Sequence, residues 1–159
     1  KGAVIGTSSP RRIAQIKNKY HTIRIQEIRG NVQTRIKKLD TNKIDAIILA
    51  AAGLERLSLK SLVSQYLPKE EFVPAAGQGV LCVQTIKKNQ KILQKLKNFV
   101  INDVELCALE ERSFVRKFNG DCFSPIAAHC FIKSNKAILT GYVSDITGEC
   151  FIKSKIVLF

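Results

Sequence analysis

The sequence lacks methionine and tryptophan, and it contains no run of 18 apolar residues. The second absence excludes a transmembrane helix, so we expect no membrane partner. Its first residues also lack the long apolar segment of a secretory signal peptide. The chain starts without methionine, and its last residues, IKSKIVLF, have the pattern of a strand. We therefore expect both ends to be cut from a longer protein.

Acidic residues are scarce, with 13 Asp and Glu against 26 Lys and Arg, which gives a net charge of +13. Such a balance predicts an anionic partner: nucleic acid, an acidic membrane or a small polyanion. Neither a Walker loop nor a GxGxxG motif occurs, so nothing indicates nucleotide binding. The tyrosines and phenylalanines do not alternate with the basic residues, so we expect no nucleic acid partner. A small polyanion is favoured.

The five cysteines are irregularly spaced and form no CxxC motif, and the two histidines are far apart. This pattern argues against a zinc site and against a disulfide framework, so we expect no metal. Reduced thiols in an intracellular compartment are the simplest interpretation. The sequence leaves the choice between cytoplasm and plastid open.

The first 75 residues predict an α/β fold with a largely parallel sheet. Apolar strands are predicted at 3–8, 22–28 and 46–50, and each is followed by a helical pattern. Ser8 or Ser9 can cap the first helix, because Pro10 suits its first position. The pattern resembles that of periplasmic binding proteins, in which two halves close about a ligand by a hinge.

A different pattern begins near residue 72. A strand is predicted after VPAAGQG, an amphipathic helix at NQKILQKLKNFV and a longer helix from residue 102 or 103 to 118. Three alternating strands and two hairpin turns follow, which predict a small α+β domain with an antiparallel sheet. We expect these domains: 1–75 as the α/β carboxylate-binding domain, 76–99 as a crossover and return segment, and 100–159 as a C-terminally clipped α+β domain.

Five arginines follow the ends of the predicted parallel strands: Arg11, Arg12, Arg29, Arg35 and Arg56. Ligands of such sheets bind beyond the carboxyl ends of the strands. Helix N-termini bind anions there, and arginine holds a carboxylate or phosphate through two hydrogen bonds. A cation in the first turn of a helix is disfavoured, so an anion between the helix dipole and the guanidinium groups would account for the arrangement. We therefore expect the five arginines to converge on one polyanion site.

Four motifs together resemble the porphobilinogen deaminase family, also called the hydroxymethylbilane synthases. These are GTSSPRR, IRGNVQTRIKKLD, DAIILAAAGLERL and VPAAGQGVL, in the family's order, and the resemblance runs from about residue 4 to residue 130. It implies a transferase that joins four porphobilinogen units into hydroxymethylbilane with release of ammonia, in tetrapyrrole (heme) biosynthesis. It also implies a dipyrromethane cofactor that is attached through a cysteine thioether.

The resemblance places the attachment at Cys122, in NGDCFSPIA. The residues agree, because Cys82, Cys130 and Cys150 fall in predicted strands and Cys107 on a predicted helix, whereas Cys122 falls in a loop. Carboxylate binding is implied for the following residues: Ser8, Ser9, Arg11, Arg12, Arg29, Gly30, Arg35, Arg56 and Gln78. We also expect the complete protein to be a monomer.

Two departures from the family pattern stand out. Many relatives have two glycines before the attachment cysteine, whereas here Gly120 is followed by Asp121. A neighbouring carboxylate disfavours a thiolate, so we expect slower thioether formation. The aspartate that the family uses in catalysis is expected in sequence before residue 1. No catalytic residue is therefore predicted within these 159 residues, and we expect the fragment alone to be inactive.

Two other interpretations are open at this stage. One is a non-catalytic module that binds polyanions or carboxylates, with Cys122 as an ordinary loop thiol. The other is a basic nucleic-acid-binding protein, which rests on net charge alone.

Overall fold

The computed structural model describes residues 2–41 and 43–158. Its N-terminal half alternates strands and helices, as an α/β pattern requires. The elements in chain order are β1 (Val4–Gly6), α1 (Pro10–Lys19), β2 (Arg24–Gln26), α2 (Val32–Thr41), β3 (Ala46–Ile47) and α3 (Ala51–Arg56), followed by a short 3-10 helix (Lys60–Leu62).

The three strands of this half form a parallel sheet in the order β2-β1-β3. Ile5 of β1 lies opposite Ile25 on one side and Ala46 on the other. The strands are shorter than the predicted 3–8, 22–28 and 46–50. Ala14 and Ile16 of α1 and Leu54 of α3 are buried.

The C-terminal half is an α+β unit, as the sequence predicts. Its elements are α4 (Gln90–Lys97), α5 (Asn102–Lys117), β4 (Ile126–Lys133), β5 (Lys136–Ser144) and β6 (Phe151–Val157). The three strands form an antiparallel sheet in the order β4-β5-β6. Helix α5 covers one face of it, where Phe114 and Val115 pack against a buried cluster that includes Leu139.

The prediction of a strand after VPAAGQG is wrong. Residues 80–86 lie outside helices and strands, and Cys82 is exposed there. Val80, Leu81, Val83 and Ile86 are exposed as well. A strand needs a neighbour that bonds its backbone, and no strand of the described residues lies beside this segment. Cys150 was also predicted in a strand, but β6 begins one residue after it, at Phe151, and Cys150 is exposed.

The two halves meet along residues 73–78, which overlap the start of the predicted crossover and return segment 76–99. We use the name crossover segment for residues 73–78 alone. On one side, the Gln15 side chain donates to the Val73 carbonyl at 3.0 Å and accepts from the Val73 N–H at 2.7 Å. On the other side, the Ala128 N–H of β4 donates to the Pro74 carbonyl at 3.2 Å. The β5–β6 loop adds a contact, because the Asn18 side chain donates to the Gly148 carbonyl at 3.3 Å. Ion pairing between Lys19 and Glu71 supports the same junction.

None of the described helices is both long enough and apolar enough to cross a membrane. The finding agrees with the absence of long apolar runs in the sequence.

Gly148 provides a test of the junction between the halves. Its φ is +80°, and an added Cβ would lie 2.3 Å from the carbonyl oxygen of Ala14. We expect Gly148→Ala to lower the free energy of unfolding by about 1–3 kcal/mol from this overlap, beyond about 1–2 kcal/mol for the left-handed backbone. Gly2→Ala is the matched control, because Gly2 has the same φ and nothing within 4 Å. Urea unfolding measures both, and an equal loss in the two variants would contradict the packing role.

Candidate anion-binding site

Two arginines in the first turn of α1 are partly or wholly buried. Arg11 is 8% exposed, and its Nη1 donates to the Val73 carbonyl at 3.2 Å. Arg12 Nη1 donates to the Ile48 carbonyl at 2.7 Å, just after β3. Helix α1 begins here because Pro10 has a fixed φ that suits a first turn. Both guanidinium groups therefore lie at the carboxyl end of the parallel sheet, as the sequence predicts.

The two charges are desolvated without a counter-charge. Burial, and then the charge of Arg12, lowers the pKa of Arg11 to about 10. Burial, and then the charge of Arg35, lowers the pKa of Arg12. Within residues 2–41 and 43–158, no carboxylate forms an ion pair with either arginine. Buried charges are costly unless they are paired, so this arrangement favours the binding of an external anion.

Three further predicted site residues have contacts that relate them to Arg11 and Arg12: Arg35, Arg56 and Gln78. Arg35 is close enough for its charge to act on Arg12, and its Nε donates to the Gly30 carbonyl at 2.8 Å. The Gln78 side chain accepts from Arg11 Nη2 at 3.5 Å, a long and weak bond. Next to it, Arg56 Nη2 donates to the carbonyl of residue 79 at 2.8 Å. Electrostatic interactions thus connect Arg11, Arg12 and Arg35, whereas Arg56 bonds to the residue that follows Gln78.

Arg29 is placed differently. Its side chain is 86% exposed, and its Nη2 lies 3.8 Å from Glu27 Oε2. Exposed ion pairs of this kind contribute little to stability. No described contact brings this guanidinium to the other four, so its membership of the site stays a prediction.

The serines and Gly30 shape the backbone around the site. Ser9 occupies the N-cap position of α1, but its side chain makes no capping hydrogen bond. Ser8 Oγ donates instead to the Ile28 carbonyl at 2.6 Å, which ties β1 to the end of β2. The carbonyl of Gly30 is occupied by Arg35. The N-terminus of α1 therefore has no side-chain cap from Ser9.

Cys122 is exposed in the loop between α5 and β4. The side chain of Asp121 organises this loop, because its Oδ1 accepts from the Phe123 N–H at 2.9 Å and from Ser124 Oγ at 2.7 Å. The hydroxyl of Ser124, and then the N–H of Phe123, lowers the pKa of Asp121. Asp121, which stands where many relatives have a second glycine, thus bonds to groups of its own turn. Slower thioether formation remains a prediction.

Exposure alone does not single out Cys122, contrary to the sequence argument. Cys82 and Cys150 are exposed too, because neither lies in the strand that was predicted for it. Cys107 is half-buried on α5 and Cys130 is buried in β4. Burial, with a smaller contribution from Cys107, raises the pKa of the Cys130 thiol to about 12. Exposure therefore excludes two of the five thiols as attachment points and leaves three.

Sequence reasoning missed Glu111 and His129. Glu111 is 6% exposed on α5, and its Oε1 lies 3.4 Å from His129 Nδ1. The signal available in the sequence was that Glu111 lies among the apolar residues of one predicted helix face. Together with Cys107, Cys130 and Gln78, these residues line a cavity of about 380 Å³. The described part of the chain contains no group of three or more side chains that could hold a metal ion.

Two family models match this chain. The model of the porphobilinogen deaminase dipyrromethane cofactor binding domain matches residues 1–94. The model of the porphobilinogen deaminase C-terminal domain matches residues 105–157. The arginine site lies within the first match and Cys122 within the second.

Curated proteins named porphobilinogen deaminase are similar over most of the chain. A protein of Coxiella burnetii is 43% identical over 152 residues, covering 96% of this chain and 50% of its own length. One of Clostridium acetobutylicum is 47% identical over 143 residues, with coverages of 89% and 48%. One of Francisella philomiragia is 40% identical over 156 residues, with coverages of 98% and 52%. The chain thus spans about half the length of these relatives.

Alkylation of the native protein tests the placement of the thiols. We expect iodoacetamide to modify Cys82 and Cys150 quickly, and Cys122 as well in protein that has no group attached to that thiol. Cys107 and Cys130 should react only after denaturation, because Cys107 is half-buried and Cys130 is buried. Intact-mass analysis counts the adducts, and peptide mapping locates them. Cys82→Ala should reduce the native count by one. Rapid native modification of Cys130 would contradict the placement.

Proposed function

Because the chain belongs to the porphobilinogen deaminase family, we propose that the protein joins four porphobilinogen units head to tail into hydroxymethylbilane, with release of ammonia. This is a transferase reaction of tetrapyrrole and heme biosynthesis. The 40–47% identity to curated relatives supports the proposal. The segment that this chain shares with them is about half of their length, so the proposal concerns the protein to which this chain contributes.

One observation carries the proposal: within the described residues, no carboxylate pairs with the buried guanidinium of Arg11 or with the half-buried one of Arg12. Each pyrrole unit of the substrate and of the growing chain bears an acetate and a propionate. A carboxylate that bonds to these guanidinium groups would replace the hydration they lost and restore charge balance. Arg35 and Arg56 border the same place, so several carboxylates can be bound at once. A polymer with two carboxylates per ring fits this concentration of cations better than a single small acid.

The residues also fit the family's cofactor. Residues 1–94 match the dipyrromethane cofactor binding domain, and they contain the two desolvated arginines. Dipyrromethane supplies the primer to which new pyrrole units are added. We assign its thioether to Cys122, which is exposed and lies in a turn ordered by Asp121. The family's attachment motif selects Cys122 over the two other exposed thiols. Ser8, Ser9, Arg29, Gly30 and Gln78 complete the proposed carboxylate site.

Within this mechanism the residues of the chain bind and orient. The guanidinium groups hold carboxylates in fixed positions, and Cys122 fixes one end of the growing chain. Protonation of the leaving amine is assigned to an aspartate in sequence before residue 1, on the family resemblance. We therefore propose that these 159 residues alone are inactive.

The finer architecture belongs to the same proposal. We assign residues 1–75 to a periplasmic-binding-protein-like domain, 76–99 to a crossover and return segment, and 100–159 to the cofactor-attachment domain. The parallel order β2-β1-β3 and the bonded crossover segment support this division. The complete protein is proposed to be a monomer in the cytoplasm or a plastid, without a nucleic acid partner. A non-catalytic carboxylate-binding module is less favoured, because both family models belong to the enzyme.

Substitution of Arg12 tests the carboxylate site. Arg12→Leu should weaken porphobilinogen binding by about 1.5–3 kcal/mol, the contribution of a charge-assisted hydrogen bond. Arg12→Lys should restore only part of it, because lysine keeps the charge and loses the planar fork. Lys17→Leu is the control, since Lys17 is an exposed cation on the same helix. Calorimetric titration measures the affinities, and complete rescue by lysine would argue against bidentate binding.

Intact-mass analysis tests the attachment residue. The protein, expressed with any sequence that flanks these residues in nature, should carry an added mass of two linked pyrrole units. Cys122→Ala should remove the added mass, whereas Cys82→Ala and Cys150→Ala should retain it. An unmodified parent protein, or a modified Cys122→Ala variant, would show that the assignment is wrong.

A further inference from the structure

Glu111 is a buried carboxylate that joins three parts of the chain. It lies on α5, and its Oε2 accepts from the Gly77 N–H of the crossover segment at 2.6 Å. Its Oε1 accepts from the Cys130 N–H of β4 at 2.7 Å, and it lies 3.4 Å from His129 Nδ1. A buried carboxylate is costly unless its oxygens are bonded, and here both oxygens are. An apolar side chain on this helix face could pack, but it could not bond the two N–H groups.

The bond to Gly77 anchors a turn of the crossover segment that is otherwise bonded mainly within itself, since the Gln78 N–H donates to the Ala75 carbonyl at 3.0 Å. Val73 and Pro74 are bonded by Gln15 and by β4. Gly77 has a φ of +70°, a left-handed conformation that favours glycine, and an added Cβ would meet nothing within 4 Å. The backbone conformation of this turn, and not close side-chain packing, therefore favours glycine at position 77. The Glu111 carboxylate bonds to this turn from the C-terminal half.

The next residue along the chain is Gln78, which reaches the anion site. Its side chain accepts from Arg11 Nη2 at 3.5 Å, a bond too long to hold the loop by itself. Because its N–H donates to the Ala75 carbonyl, Gln78 ends a turn in which Gly77 is a central residue. The bond from the Gly77 N–H to Glu111 anchors this turn to the C-terminal half, and the position of the Gln78 side chain follows from the position of the turn.

We propose that Glu111 is a positioning residue: it fixes the Gly77 peptide so that Gln78 completes the carboxylate site with Arg11. The inference rests on the proposed function, since it takes a pyrrole carboxylate as the ligand of that site. It adds that the C-terminal half, which bears Cys122, sets the geometry of the arginine site in the N-terminal half. Glu111 itself touches neither ligand nor cofactor.

A double-mutant cycle with porphobilinogen as the probe tests the proposal, in the protein with its natural flanking sequence. In Glu111→Gln, a neutral amide with one oxygen replaces a carboxylate with two, so the bond to the Gly77 N–H is either lost or weakened and the turn loosens. Binding should weaken about three- to tenfold, the effect of one lost positioning hydrogen bond. In a Gln78→Ala background, the same change should alter binding by less than about twofold, because no side chain remains to be positioned. Glu105→Gln, an exposed carboxylate on the same helix, should leave binding unchanged.

The outcomes separate the two proposals. A parent protein that does not bind porphobilinogen contradicts the proposed function. Binding by the parent, with equal weakening by Glu111→Gln in both backgrounds, overturns the positioning role and indicates a general structural one. Amide hydrogen exchange decides the case if Glu111→Gln does not fold. Porphobilinogen should then slow exchange at the Gly77 and Cys130 amides of the parent protein, and fast exchange at Gly77 that the ligand does not change overturns the proposal.

Discussion

The hydrogen bonds to the crossover segment are the constraint on which the rest of the structure depends. Gln15 bonds both the N–H and the carbonyl of Val73, and Arg11 shares that carbonyl. Val73 itself is fully buried. A buried backbone that lacks its hydrogen bonds is costly, so side chains of α1 here supply what a neighbouring strand would supply elsewhere. Because β4 and Glu111 bond the same segment from the other side, the two halves are joined through it.

The same constraint places the charges. Arg11 must donate to Val73, so its guanidinium is drawn out of solvent and lies close to Arg12 and Gln78. Two cations with lowered pKa values then lie at the carboxyl end of the sheet, and within the described residues no carboxylate pairs with them. The proposed carboxylate ligand would offset the electrostatic cost of this arrangement. The structural role of Arg11 and its proposed role in binding thus have one physical origin.

The sequence allowed the helices and the antiparallel sheet to be predicted, because local patterns specify them. Alternating apolar residues indicated β4, β5 and β6, and Pro10 indicated the start of α1. The position of Arg11 and Arg12 after a predicted strand indicated that they lie at the carboxyl end of the sheet, and the anion site expected there stays a prediction. The four motifs also indicated the family that both models confirm. These features depend on residues that are close in the chain.

Tertiary structure decided the features that depend on distant partners. Residues 80–86 have the composition of a strand, yet a strand forms only where another backbone bonds it, and none of the described strands does so. Cys82 and Cys150 lie outside the strands of the structure, and both are exposed. The sequence alone therefore could not show that three thiols, rather than Cys122 alone, are exposed. Arg29 has the same local setting as the other arginines but extends into solvent. The partners of Glu111 lie 34 residues before it and 19 residues after it, so only the folded chain brings the crossover segment and β4 to one carboxylate.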